Sequence, residues 1–258
     1  MTKLIEGVWR ERLTTFVVRH RVLRQAAERV SPAHREIRRT RRWLAKSFLR
    51  GQGLEIGALH LPLPLPRGAS ARYVDRMSRE DLRREYPELA SYDLVEVDVV
   101  DDGETLATVP DASVDFVIAN HFIEHTQDPI ATLRNLLRVV KPGGVLFLAV
   151  PDQRYTFDRE RPVTPLEHIA KDFEEGPEWS RRMHFEEWAT HVEHAPDPAA
   201  HAAKLDEQDY SIHFHTYTPD AFGELLVHAK NVAGLPIAVE ALVPVRHEFV
   251  AVVRHVAR

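Results

Sequence analysis

Residues 115–152 read "DFVIANHFIEHTQDPIATLRNLLRVVKPGGVLFLAVPD". The apolar run Phe116–Ala119 has the length of a buried strand and ends on a polar turn carrying Asn120 and His121. An amphipathic helical stretch follows, then Lys-Pro-Gly-Gly, then a second apolar run, Val145–Val150. Gly143 and Gly144 allow the positive dihedrals that a tight helix-to-strand turn needs. Strand, helix and strand in this order make a βαβ unit, and such units build parallel sheets.

The same rhythm continues outward. Short apolar runs recur at Leu54–Ile56, Tyr73–Val74 and Leu94–Val97, separated by polar or turn-forming segments. Two β-rich runs close the sequence, Ile237–Val243 and Glu248–Val256, with a tight connection starting at Pro244, so they read as an antiparallel hairpin at the sheet edge. Residues 151–217 break the pattern. They are rich in charge, aromatics and histidine, too long for a passive connector, and are expected to form helices that cap a site.

Composition narrows the possibilities. The chain has 258 residues and no cysteine, which excludes disulfides, thiolate metal ligands and a cysteine nucleophile. No apolar run is long enough to cross a bilayer and no secretory leader is visible, so a cytoplasmic setting is expected. Residues 1–50 hold 14 Lys and Arg against 4 Asp and Glu, leaving 20 against 35 for the remainder. We therefore expect a basic helical N-terminal extension over residues 1–51, its second helix opening at Ser31-Pro32 and stopping at Gly51. An α/β domain over 52–258 follows, with a cap insert at about 153–217. The basic helices are expected to pack against the acidic body; no nucleic-acid-binding signature accompanies them, and a membrane surface is the weaker reading. A homo-oligomer is compatible with the sequence and is not specified by it.

Ligands of open α/β sheets lie at the carboxyl ends of the strands. Reading those positions gives Gly57, Asp75, Asp98, Asn120 with His121, and Pro151-Asp152. An acid after the second strand is placed to accept ribose hydroxyls, and one after the third an adenine amine. The competing reading is that such carboxylates cap helices, as Ser78 with Asp81 does in "SREDLRREY".

The 115–152 segment resembles the class I S-adenosylmethionine-dependent methyltransferases, in particular their small-molecule branch. The resemblance covers about residues 53–152 and extends more loosely over 217–256. It implies a Rossmann-like, seven-stranded, mostly parallel sheet with an antiparallel C-terminal hairpin, and S-adenosyl-L-methionine as cofactor. The family's first turn resembles E/D-x-G-x-G-x-G. Here "GLEIGALHLPLPLP" keeps Glu55 and Gly57 but has Leu59 and Leu61 where glycines would stand. Pro62, Pro64 and Pro66 then forbid the usual helix. A phosphate-bearing cofactor would lose its helix N-terminus, whereas S-adenosylmethionine has no phosphate. The resemblance implies Glu55 and the Gly57 carbonyl at the cationic amino-acid end, with Ala58, His60 and the Leu-Pro arm as walls. Asp75 and Arg76 then belong to the ribose, Asp98 to the adenine, and Asn120 to the cofactor cleft. We expect Leu59 or Leu61 to pack beneath the proline arm.

Methyl transfer requires alignment and, for a hydroxyl acceptor, a base. His121 is the expected base, and His125 is expected to be structural. Of 15 histidines, several more cluster in and after the insert: His168, His184, His213 and His215. His213 and His215 share a face if extended, which raises a metal site with a carboxylate; packing is the preferred reading, so no metal is expected. Arg154 and Tyr155, with Asp158, Arg159 and Arg161, are expected either to orient a polar acceptor together with His168 and His215 or to form a salt-linked helix start. Trp179, Phe185 and Trp188 are expected in the core of the cap. The leading functional expectation is methylation of a small polar molecule, sugar-containing or a natural product. The alternatives are a non-methylating reaction of S-adenosylmethionine, such as cyclisation or lysis, and a non-catalytic binding protein.

Overall fold

The computed structural model describes residues 32–89 and 91–257. The chain divides into two compact units, residues 1–40 and 41–258, and the sheet belongs to the second. The first N-terminal helix expected from the sequence lies outside the described residues. The second is present as α1, Pro32–Phe48, and crosses the boundary between the units.

Seven strands form one sheet in the order β3-β2-β1-β4-β5-β7-β6. They are β1 Gly51–Ile56, β2 Ala69–Asp75, β3 Val99–Val100, β4 Val114–Asn120, β5 Val140–Pro151, β6 Ile237–Val245 and β7 Glu248–His255. The first five pair in parallel, and β7 runs antiparallel between β5 and β6. The seven-stranded, mostly parallel sheet with its terminal antiparallel hairpin is therefore present. The third strand is displaced: Leu94–Val97 form no strand, and pairing with β2 is limited to Val99 and Val100. Leu94 is buried as part of a loop, so its apolar character reports packing and not a ladder.

Period-two alternation sorts the strands' side chains onto two faces. Leu54, Val117, Ala119, Leu146 and Leu148 belong to one core cluster, together with α3 (Pro129–Val139) and α7 (Pro219–Asn231). Phe116, Ile118, Phe147 and Ala149 belong to the other, with Leu44 and Ala45 of α1, Leu49 just after it and Leu63 of the proline arm. Helix starts follow their caps. Asp128 accepts the Ala131 N–H at 2.8 Å ahead of Pro129, and Thr218 accepts the Ala221 N–H at 3.3 Å ahead of Pro219. At α2 (Arg79–Glu85), Ser78 accepts the Asp81 N–H and donates its hydroxyl to the Asp81 carboxylate, the expected cap. Gly143 lies at φ 87° where the β4–β5 register shifts.

The insert is helical, as expected: α4 Leu166–Glu175, α5 Glu178–His191 and α6 Pro198–Glu207, preceded by two short 3-10 turns. Phe185 and Trp188 pack with Ala202, Leu205, Ile212 and Phe214 in a small core of its own. Among the described residues no helix is long and apolar enough to cross a membrane.

Candidate active site

The carboxyl ends of β1, β2 and β4 bring together most of the expected cofactor residues. β1 delivers Glu55, whose carboxyl is 1% exposed. One oxygen accepts the Leu63 N–H at 2.8 Å, so this acid anchors the proline arm that replaces the usual helix. The other oxygen has no hydrogen-bond partner among the described residues. Burial pushes the Glu55 pKa up to about 7, against the opposing pull of the Leu63 N–H and the Arg41 charge. Asn120, ending β4, has both amide atoms buried and likewise unpartnered.

After β1 the chain turns through Gly57, Ala58, Leu59 and His60. Gly57 has φ 63°, and nothing lies within 4 Å of where a Cβ would stand. Its backbone is thus approachable. Leu59, at the family's second glycine position, keeps the left-handed backbone with φ 48°, and its carbonyl accepts the Val95 N–H at 2.8 Å. Of the two leucines expected beneath the arm, Leu61 is 62% exposed and does not pack there; Leu59 is half-buried, and Leu63 is the arm's leucine that enters the core. His60 stacks on Tyr92 with ring centroids 4.4 Å apart.

Asp75 ends β2 half-buried, with one carboxylate oxygen accepting the Arg76 N–H and its pKa raised by burial. Arg76 reaches Glu85 at 3.2 Å and the Tyr86 hydroxyl at 3.3 Å. Asp98 requires a correction. With β3 shifted to Val99–Val100 it precedes the strand, and its carboxylate accepts the Tyr73 N–H at 2.8 Å, bracing β2. The residues that follow β3 are Asp101 and Asp102. Asp101 is consumed by Thr108, through N–H and hydroxyl, and by the Asp102 N–H. Asp102 is exposed and accepts the Glu104 N–H.

His121 follows β4 in the left-handed region, φ 52°, a conformation costly for a non-glycine residue and held by its N–H bond to the Ala149 carbonyl at 2.7 Å. Its Nε2 is 2.9 Å from Glu248 Oε2, at the start of β7. Arg41 donates to both Glu248 oxygens, at 2.7 and 2.6 Å. Despite its burial, the His121 and Arg41 hydrogen bonds hold the Glu248 carboxyl down to about 2. An ionised carboxylate only accepts, so Nε2 donates to it, and in the neutral ring Nδ1 keeps a lone pair. Nδ1 stands 3.9 Å from Glu124 Oε1. Glu124 was not anticipated from the sequence: it is fully buried, neither carboxylate oxygen has a partner among the described residues, and burial raises its pKa. The spacing "HFIEH" was the available signal. His125 is packed, with Nδ1 2.8 Å from the Ile212 carbonyl.

The expected acceptor residues separate. Arg154 and Tyr155 remain exposed after β5, with Arg154 paired to both Asp152 oxygens at 2.9 and 2.7 Å. Arg161 and Asp158 are buried and paired at 2.8 Å, with Arg161 also on Glu187 and Asp158 on His213 Nδ1, so these two build the cap. His215 is 0% exposed, and His168 lies against His184 beneath the surface. His215 is thus enclosed, while His168 is half-buried on α4.

Open backbone at Gly57, with Glu55 Oε2 and the Asn120 amide near one another but in no close hydrogen bond among the described residues, fits a ligand that brings a cation and hydrogen-bond donors, as the amino-acid end of S-adenosylmethionine does. Comparison with known proteins agrees. The Methyltransferase domain family matches residues 33–230. A probable S-adenosylmethionine-dependent methyltransferase of Mycolicibacterium smegmatis is 40% identical over 60 residues, a stretch spanning 22% of this chain and 23% of that protein. A solved structure described as a putative Zn-dependent alcohol dehydrogenase from Rhodobacter sphaeroides has a TM-score of 0.53 at 20% identity. The match covers 88% of this chain and 92% of that one, and at this identity it shows the fold alone. An S-adenosylmethionine-dependent methyltransferase from Aquifex aeolicus has a TM-score of 0.47 at 17% identity, covering 88% and 94%. The chain belongs to the class I S-adenosylmethionine-dependent methyltransferase family.

Proposed function

We propose that this protein methylates a hydroxyl or amine of a small polar acceptor, with His121 taking the acceptor's proton. The observation that carries the reading is the His121–Glu248–Arg41 chain at the carboxyl edge of the sheet. It fixes the ring, sets the tautomer and leaves Nδ1 able to accept a proton. S-adenosylmethionine supplies a methyl group on a cationic sulfur, already activated for attack.

The protein's own part is then positioning and proton removal. Glu55 and the Gly57 carbonyl hold the ammonium of the cofactor's amino-acid end, with Ala58 and His60 as walls and Asn120 contributing its amide. Asp75 and Arg76 take the ribose. Asp102 replaces Asp98 beside the adenine, since it follows β3 and its carboxylate is accessible. Arg154 and Tyr155 face the acceptor.

The reading is tested by methyl transfer from labelled cofactor to a panel of polar small molecules, followed by His121→Ala. A loss of about 10²–10⁴-fold in kcat, with S-adenosylhomocysteine affinity unchanged, is expected for a general base. An unchanged kcat would remove His121 from the chemistry, and release of methylthioadenosine would identify a lyase or cyclase.

A further inference from the structure

Three histidines and one aspartate meet in a buried cluster inside the insert. His168 and Asp172 stand four residues apart on α4, hence on one face; His184 comes from α5 and His215 from the stretch leading back to α7. One nitrogen or oxygen from each lies within 4.8 Å of all the others. His168 Nε2 is 3.0 Å from His184 Nε2 and 3.4 Å from Asp172 Oδ2. Ligands about 2.0–2.1 Å from a tetrahedral ion stand roughly 3.3 Å apart, so the cluster is close to coordination spacing.

Hydrogen bonding within the cluster leaves acceptors over. His168 and His184 can share one proton, yet Asp172 Oδ2 and His215 Nδ1, on side chains with no solvent exposure, make no close hydrogen bond among the described residues, although His168 Nε2 and the Trp179 indole lie beside the Asp172 carboxylate. Their remaining atoms are already held from outside. Asp172 Oδ1 accepts the Ser180 hydroxyl at 2.7 Å, and His215 Nε2 is 3.2 Å from the Gln127 carbonyl. Such outer contacts orient ligands around metal ions. Burial holds the rings in the neutral form that coordination needs: His184 is pushed down to about 2, His215 to about 3, and His168 is lowered as well.

We propose that His168, Asp172, His184 and His215 bind one divalent transition-metal ion, zinc being the best match to imidazole and carboxylate donors in a four-ligand shell. Four protein ligands leave no open position, so the ion is structural. It joins α4 and α5 to the segment containing His215, whose N–H donates to the Glu124 carbonyl at 3.2 Å, and so secures the cap to the turn that bears His121. A second group, Glu124, His125 and His213, also comes together, but two of its ring nitrogens are already taken by Ile212 and Asp158.

The test uses the untagged full chain. Elemental analysis is expected to find one zinc per chain after exhaustive dialysis. Chelation should lower the melting temperature, with zinc restoring it, and cobalt exchange should give the visible absorption of a four-coordinate ion. Asp172→Asn and His184→Gln should lose the metal and the cobalt bands, while His121→Ala keeps both. A wild-type chain that neither retains zinc nor gives cobalt bands on titration overturns the proposal, as does metal retained equally by Asp172→Asn and His184→Gln. The cobalt titration is read on the wild-type protein, so it decides even if a variant fails to fold. Neither negative result touches the methyl-transfer reading.

Discussion

Glu248 Oε2 lies 2.9 Å from His121 Nε2, across 127 residues of sequence. The acid is buried and the histidine 39% exposed, so the pair presents one solvent-facing imidazole on an internal anchor.

That anchor carries an acid-side signature. Hydrogen bonds from His121 and Arg41 hold the Glu248 carboxyl down to about 2, against 4.5 for an ordinary glutamate. A depressed folded pKa stabilises above the unfolded value, and the benefit disappears as pH falls from there through about 2. A shift of this size corresponds to about 3 kcal/mol. Glu248→Gln should therefore be less stable than wild type near neutrality, and the gap should close on acidification. Denaturant titrations at several pH values measure both.

Glu55 behaves in the opposite sense. Its folded pKa is raised to about 7, so full stability is present below the unfolded value of 4.5 and falls as pH rises through about 7. Arg41 and the Leu63 N–H lower the shift without cancelling it. If the cofactor ammonium pairs with this carboxylate, binding below about 7 must release a proton. Calorimetry of S-adenosylhomocysteine in buffers of different ionisation enthalpy should detect that proton, and Glu55→Gln should abolish it.

The proline arm separates two leucines. Leu59→Gly places glycine where φ is 48°, a conformation that costs a leucine about 1–2 kcal/mol. Its thermal stability should be equal or higher, with S-adenosylhomocysteine binding retained. Leu63→Ala empties a buried position and should cost about 2–5 kcal/mol. Paired melts decide, and the reverse order would mean that the arm is anchored elsewhere.

Asp75→Ala should weaken S-adenosylhomocysteine binding by about 1–3 kcal/mol through lost charge-assisted hydrogen bonds, while Asp98→Ala should act mainly on stability. Isothermal titration and melting of the two variants distinguish ligand contact from bracing of β2.

The sheet was legible where strands are long and buried on both faces. β1, β4, β5 and β7 read as apolar runs because each lies between two neighbouring strands and is covered on both faces, whereas the edge strand β6 was legible through its β-rich composition and the turn that follows. β3 did not, because two half-covered valines make a ladder too short to leave a pattern, while the apolar Leu94 belongs to a loop. His121 could be placed from its position after β4. Its partners could not: Arg41 and Glu248 are 207 residues apart, and no local signal links them. Alternation put His213 and His215 on a shared face, but the backbone there is not a strand. The two rings go to different clusters, His213 to Asp158 and His215 to Asp172.

The Arg41–Glu248 link also bears on how the protein comes into being. Glu248 opens the last strand, and that strand lies inside the sheet, between β5 and β6. A chain synthesised only as far as β6 thus holds His121 and Arg41 but neither the acid that joins them nor the ladder that completes β5. Closing so long a loop is slow, and until it closes the edge of β5 is unpaired and open to association with other chains. Deleting β7 would remove the carboxylate that holds the His121 ring and leave one edge of β5 unpaired in the same cut.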